Sequence, residues 1–117
     1  MSSLEMNHYL EQGIVVVTAD GDINSATAIE FGPYLKNSIE NAPAAKVVLD
    51  MSHVFYMSSA GLRDIVSGLK VAKRLGGDLH IAGIQRRLKP VFEMVGLDSL
   101  SFFYDTVDDA VTSFQAS

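Results

Sequence analysis

The sequence predicts an α/β fold: a mixed, mainly parallel sheet that opens with an antiparallel hairpin and is covered by about four helices. Three observations predict it. Short β-branched runs alternate with segments whose apolar residues recur every three or four positions. Such alternation requires crossover connections, and crossovers make successive strands parallel. The first two runs meet at Glu11-Gln12-Gly13, a tight turn that makes them a hairpin. Finally, 117 residues of which 48 % are apolar can fill one proper core but not two, so residues 1–117 form one domain.

The elements follow in the order β-β-α-β-α-β-α-β-α. Tyr9-Leu10 and Ile14-Val15-Val16-Val17-Thr18 are the hairpin strands, and Asp20-Gly21-Asp22 closes the second with turn chemistry. Asn24 or Ser25 then caps a helix with apolar positions Ala28, Phe31, Leu35 and Ile39. Pro33 lies inside that pattern and predicts a distorted or late-starting helix. Asn41-Ala42-Pro43 breaks the chain before a buried strand, Lys46 to Asp50. From Leu62 the series Leu62, Ile65, Val66, Leu69, Ala72, Leu75 marks an amphipathic helix that Gly76-Gly77 stops.

Asp78-Leu79-His80-Ile81-Ala82 is the next strand. Leu88, Val91, Phe92 and Val95 outline a third helix, with Pro90 in its first turn and Gly96 at its end. Leu100-Ser101-Phe102-Phe103 is the last strand. Thr106 and Asp109 have the spacing of a capping box for a terminal helix with Val107, Ala110, Val111 and Phe114 on its buried face.

Composition narrows the function. A formal charge of −5 leaves no basic face for nucleic acid, and the short cluster Arg86-Arg87-Leu88-Lys89 reads as a solvated helix surface. The absence of cysteine excludes disulfides, thiolate metal sites and thiol catalysis. No apolar run approaches the ~20 residues needed to span a bilayer, and Met1-Ser2-Ser3-Leu4-Glu5-Met6 lacks the features of a signal peptide. A soluble, cytoplasmic protein with no membrane insertion is expected.

Few residues offer catalysis. His8, His53 and His80 have no second ligand at metal spacing and read as surface or edge-strand residues, so neither a metal nor a cofactor is expected. Ser58 or Ser59 with His53 supplies the residue types of a nucleophile and base. However, the order Ser-Ser-Ala-Gly lacks the glycine two positions before the serine that a hydrolase elbow needs. No phosphate-binding glycine loop occurs either, so the chain reads as a binding protein and not an enzyme. The Ser58-Ser59 pair remains, at a junction between strand and helix. A serine there is either a helix cap or, because free N–H groups welcome negative charge, a phosphorylation switch.

The string Asp50-x-Ser52-x-Val54-x-x-Met57-Ser58-Ser59-Ala60-Gly61-Leu62 resembles the signature of the STAS domain, as found in bacterial anti-sigma-factor antagonists. Gly21-Asp22-Ile23-Asn24, Gly76-Gly77-Asp78-Leu79 and Phe92-Glu93-Met94-Val95-Gly96-Leu97 are similar to further family elements, and the resemblance runs from about Tyr9 to Phe114. It implies a partner-switching role in transcription regulation. In such proteins the unmodified antagonist binds an anti-sigma factor that is also a serine kinase. Phosphorylation at the start of the second helix ends that binding, and a serine phosphatase restores it.

Matched residue by residue, the phosphoacceptor falls on Ser59, with Ser58 the alternative. The implied partner surface comprises Asn24, Met57, Ser58, Ser59, Ala60, Gly61, Arg63 and Ser67, with Lys70 on the same helix. The family usually carries aspartate where this chain has Ser58 and Asn24. Those two missing charges favour an alternative reading, a STAS subunit that is never phosphorylated and serves a signalling or lipid-transport complex.

Overall fold

A computed structural model describes residues 3–94 and 103–115. Strands β1 (Glu5–Glu11) and β2 (Ile14–Asp20) form the opening hairpin, and helix α1 (Ala28–Asn41) and a 3-10 turn (Pro43–Ala45) lead into β3 (Lys46–His53). Helix α2 (Ser59–Arg74), β4 (Asp78–Ala82), a second 3-10 turn (Arg86–Leu88) and the short α3 (Lys89–Glu93) follow. Strand β5 (Phe103–Tyr104) and helix α4 (Val107–Gln115) complete the chain. The sheet order is β1-β2-β3-β4-β5, with β1 antiparallel to β2 and the other neighbours parallel. Fold class and element order are those the sequence predicts.

Alternation along the strands divides the interior into two unequal cores. Val17, Val47, Leu49, Met51, Leu79 and Ile81 face α1, α2 and α3, meeting Phe31, Leu35, Ile39, Ile65, Leu69 and Phe92. The intervening Val16, Val48 and Ala82 face the other way and are covered by Ala110, Val111 and Phe114 of α4. Val47, Val48 and Leu49 are fully buried because β3 is central and covered on both faces.

Several boundaries differ from expectation for identifiable reasons. Helix α1 runs through Pro33 instead of starting after it. The proline ring deprives only the Ile29 carbonyl of an intrahelical partner, and both residues lie on the exposed face. Helix α2 begins three residues before Leu62, since Ser58 caps it. Leu75 is half-exposed instead of joining the apolar stripe. It lies just past the last helical turn, where Gly76 adopts φ +86° and Gly77 N–H bonds back to the Ala72 carbonyl. The Thr106 hydroxyl accepts from Asp109 N–H at 3.1 Å, as the capping pattern predicts. Val95, Gly96 and Leu100 to Phe102, expected at the end of the third helix and in the last strand, lie outside the described residues.

His80 corrects the expectation that each histidine lies at the surface or on an edge strand. It is 8 % exposed. Leu79 and Ile81 point into the larger core, so His80 must point to the opposite face, and α4 covers that face. Its ring stacks on Phe114 with centroids 3.8 Å apart and planes at 7°. Nδ1 lies 2.8 Å from Ser113 Oγ, and Nε2 lies 3.4 Å from Asp78, which also pairs with Lys73.

Burial lowers the His80 pKa from the ordinary histidine value, against the opposing pull of the Asp78 carboxylate. The unfolded chain therefore takes up this proton at a higher pH than the folded one. Stability is full above the unfolded pKa, about 6.5, and is lost as pH falls through the folded value. Urea unfolding of the wild type between pH 8 and pH 5 is expected to show this loss, and His80→Phe to lessen the slope. Equal slopes in the two proteins would show that His80 does not contribute.

Candidate functional site

The site is built where two strands end side by side. β2 runs out at Asp20 and β3 at His53, and the loops that follow are joined by backbone hydrogen bonds. Gly21 N–H donates to the His53 carbonyl at 3.2 Å, Ile23 N–H to Tyr56 at 3.0 Å, and Ser58 N–H to Ile23 at 2.7 Å. Ile23 and Met57 thereby form a parallel bridge beyond the sheet proper. Both side chains turn inward, Ile23 fully buried and Met57 6 % exposed.

The two loops start two helices next to each other. Asn24 Oδ1 accepts from the N–H groups of Ala26 and Thr27 at 2.9 and 2.8 Å. Thr27 Oγ1 in turn accepts from Asn24 N–H and donates to the Asp22 carbonyl. Asn24 therefore shapes the turn that leads into α1, but the N-cap position itself falls on Thr27, which makes no side-chain capping bond, and not on Asn24 or the exposed Ser25 as expected.

Ser58, by contrast, caps α2. Its backbone is extended (φ −82°, ψ 169°), and its hydroxyl accepts from Gly61 N–H at 3.3 Å. Ser59 is the first helical residue and is exposed, and its hydroxyl makes no hydrogen bond among the described residues. The adjacent serines thus divide the two roles open to them, one capping the helix and the other presenting a free hydroxyl.

Ser59, Arg63, Ser67 and Lys70 follow at helical spacing and are all exposed, forming one polar stripe down α2. Asn24, Ser58 and Ala60 are half-buried at its head. Met57 and Gly61, expected at the partner surface, are buried beneath it and support the loop from inside. A Cβ on Gly61 would lie 2.5 Å from Ile23 Cγ2 and 2.9 Å from Met57 Cγ. Within α2, burial against α1 raises the pKa of Asp64, whose carboxylate covers Gly32.

Two residues that sequence reasoning left unassigned stand out. Phe55 and Tyr56 are 51 % and 52 % exposed on the loop immediately before Met57. The available signal was two aromatic residues in a segment between strand and cap, where polar residues are the norm. His53 Nδ1 lies 3.2 Å from Ser52 Oγ, and no hydrogen bond among the described residues joins it to Ser58 or Ser59. A nucleophile–base pair is therefore not assembled there. Among the described residues no cluster of His, Asp or Glu can hold a metal, and no helix is long and apolar enough to cross a membrane.

The family model for the STAS domain matches residues 5–110. The chain belongs to the STAS domain family. A relative named as an anti-sigma F factor antagonist, from Paenibacillus polymyxa, is 22 % identical over 112 residues, covering 96 % of this chain and 94 % of its own. The crystal structure of an anti-sigma factor antagonist from Mycobacterium paratuberculosis superposes with a TM-score of 0.84 at 23 % identity, over 95 % of this chain and 93 % of that one. SpoIIAA of Bacillus, solved in its phosphorylated form, superposes with a TM-score of 0.72 at 13 % identity, over 96 % and 99 % of the two chains. The STAS fold therefore carries the Ser58-Ser59 junction on a scaffold that these proteins share.

Gly61→Ala measures how tightly the paired loops are packed. Alanine gains roughly 1 kcal/mol of helix propensity over glycine. At 2.5 Å the new methyl meets a buried β-branched side chain that has little room to turn. Overpacking is expected to win, with a net loss of about 1–2 kcal/mol in chemical denaturation. A variant as stable as the wild type would mean that the loops yield easily.

Proposed function

We propose that this STAS protein is an anti-sigma-factor antagonist, working in the cytoplasm by binding and not by catalysis. Its partner is an anti-sigma factor with serine kinase activity. The kinase phosphorylates Ser59, which ends the complex, and a serine phosphatase restores the binding form. The observation that carries this reading is the exposed, unbonded Ser59 hydroxyl at the first position of α2, beside a serine already committed to capping. The Paenibacillus polymyxa relative, an anti-sigma F factor antagonist, supports the same role.

The chemistry suits the position. Phosphoryl transfer joins the Ser59 oxygen to the γ-phosphorus of ATP, breaks the bond to the β-phosphate oxygen, and releases ADP and the hydroxyl proton. The product carries about −1.5 to −2 charges at neutral pH. The first turn of α2 contains no acidic residue, whereas α1 has Glu30 and α4 has Asp108 and Asp109. A phosphate there meets the positive end of the helix without a neighbouring carboxylate in that turn. On the partner's side, a hydrated dianion now sits inside the contact. Each 1.4 kcal/mol so lost weakens binding tenfold.

The second reading, a STAS subunit that is not phosphorylated, draws on Ser58 and Asn24 standing where the family has aspartate. Ser58 caps α2 and Asn24 holds the turn into α1, both without charge, so the difference from the family lies in charge more than in local geometry. Co-purification separates the two readings. An anti-sigma kinase among the bound proteins supports the first, and subunits of a transporter or other signalling complex support the second.

Ser59→Ala and Ser58→Ala should part company when incubated with the cognate kinase and ATP. The first is expected to take up no phosphate in intact-mass measurement, with stability within about 0.5 kcal/mol of wild type. The second is expected to keep phosphorylation while losing about 1 kcal/mol with the cap. Modification that persists in Ser59→Ala, or is absent from the wild type, would overturn the switch.

A further inference from the structure

We propose that the outer edge of β1 is a homodimer interface, at which two copies pair antiparallel about Tyr9 and join their sheets. This inference is independent of the phosphorylation switch and rests on a different part of the molecule.

β1 is a seven-residue edge strand, and among the described residues only β2 pairs with it. The opposite edge, β5, has two described residues. Soluble proteins usually protect a long edge with charged side chains (lysine above all), a proline or a bulge. Glu5-Met6-Asn7-His8-Tyr9-Leu10-Glu11 has no proline or lysine, its two carboxylates stand only at its ends, and its pairing with β2 is unbroken from Glu5↔Asp20 to Glu11↔Ile14. Tyr9 and Leu10, adjacent and on opposite faces, are 44 % and 63 % exposed.

The turn fixes which backbone groups point outward. Gln12 (φ +52°) and Gly13 (φ +83°) make a two-residue turn with both central residues left-handed. In such a hairpin the flanking residues, Glu11 and Ile14, form a hydrogen-bonded pair. Alternation then turns the N–H and C=O groups of Glu5, Asn7, Tyr9 and Glu11 toward β2. Those of Met6, His8 and Leu10 point away from the sheet.

A twofold partner must match these outward groups to one another, which leaves few registers. Centring on His8 pairs all three residues but sets Glu5 opposite Glu11 of the second copy, twice, between chains that each carry −5. Centring on Asn7 leaves the exposed Leu10 beyond the partner strand. Centring on Tyr9 pairs His8 with Leu10 in both directions, puts Glu11 opposite Asn7, and sets the two Tyr9 side chains face to face. That register satisfies four outward donors or acceptors from each copy, covers both exposed apolar residues and opposes no like charges. Each protomer keeps its Ser58-Ser59 junction, at the end of β3 and not along the β1 edge, open to partners.

The absence of cysteine permits a clean test of register. Sedimentation equilibrium of the wild type over a broad concentration series is expected to show reversible dimerisation, weak as suits a small contact. Leu10→Lys, at an exposed position, should raise the dissociation constant at least tenfold while leaving the circular dichroism spectrum and melting temperature unchanged. Under mild oxidation Tyr9→Cys should form a disulfide-linked dimer readily, since the two positions face each other at a pair without backbone bonds, and His8→Cys should not. A wild type that stays monomeric throughout, a Leu10→Lys variant that dimerises as well as wild type, or cross-linking favoured at position 8 would each overturn the proposal.

Discussion

Most of what distinguishes this molecule depends on the backbone lacing between two loops. The bonds from Gly21 to His53, Ile23 to Tyr56 and Ser58 to Ile23 extend the β2–β3 pairing past the end of the sheet. They turn two independent connections into one platform, and the platform fixes where α1 and α2 begin. Small residues let the platform close. Gly61 admits Ile23 and Met57 to the base of α2, and Gly32 admits the Asp64 side chain between the helices. Without this lacing the Ser59 hydroxyl would sit on a flexible loop tip. With it, the hydroxyl is presented from a rigid helix end above a filled core.

Much of the fold was legible because strand and helix periods differ and the chain alternates between them. Val15 to Val17 and Val47 to Leu49 leave little room for another reading. The start of α2 was less legible. Its first turn, Ser59-Ala60-Gly61, offers no large apolar residue, so periodicity becomes visible only at Leu62. The division of labour between Ser58 and Ser59 could be posed from the sequence but not resolved, since capping depends on φ and ψ at one residue. His80 was misjudged for a different reason. Polar residues are usually outside, and period-two alternation shows only that His80 opposes Leu79 and Ile81. What covers the other face of β4 (Asp78–Ala82) is α4, a helix that begins only at Val107.

The side chains at the two helix entries are instructive in the same way. Asn24 and Ser58 are both uncharged, yet Asn24 Oδ1 holds the turn into α1 through the Ala26 and Thr27 N–H groups and Ser58 Oγ caps α2. An aspartate at either position would contribute both geometry and charge, whereas Asn24 and Ser58 supply the geometry alone. Capping contributes about 1 kcal/mol whether the acceptor is neutral or charged, so the neutral Ser58 is sufficient for α2.

The two cores also differ in when they can be completed. The larger core is furnished by α1, α2 and α3, each made between the strands it covers, so it fills as the chain lengthens. The smaller one waits for Ala110, Val111 and Phe114. Val16, Val48 and Ala82 therefore stay uncovered until the nine-residue α4 is made, later than the strands that carry them. Any pause before α4 is complete leaves an apolar sheet face open to water, to chaperones and to other nascent chains.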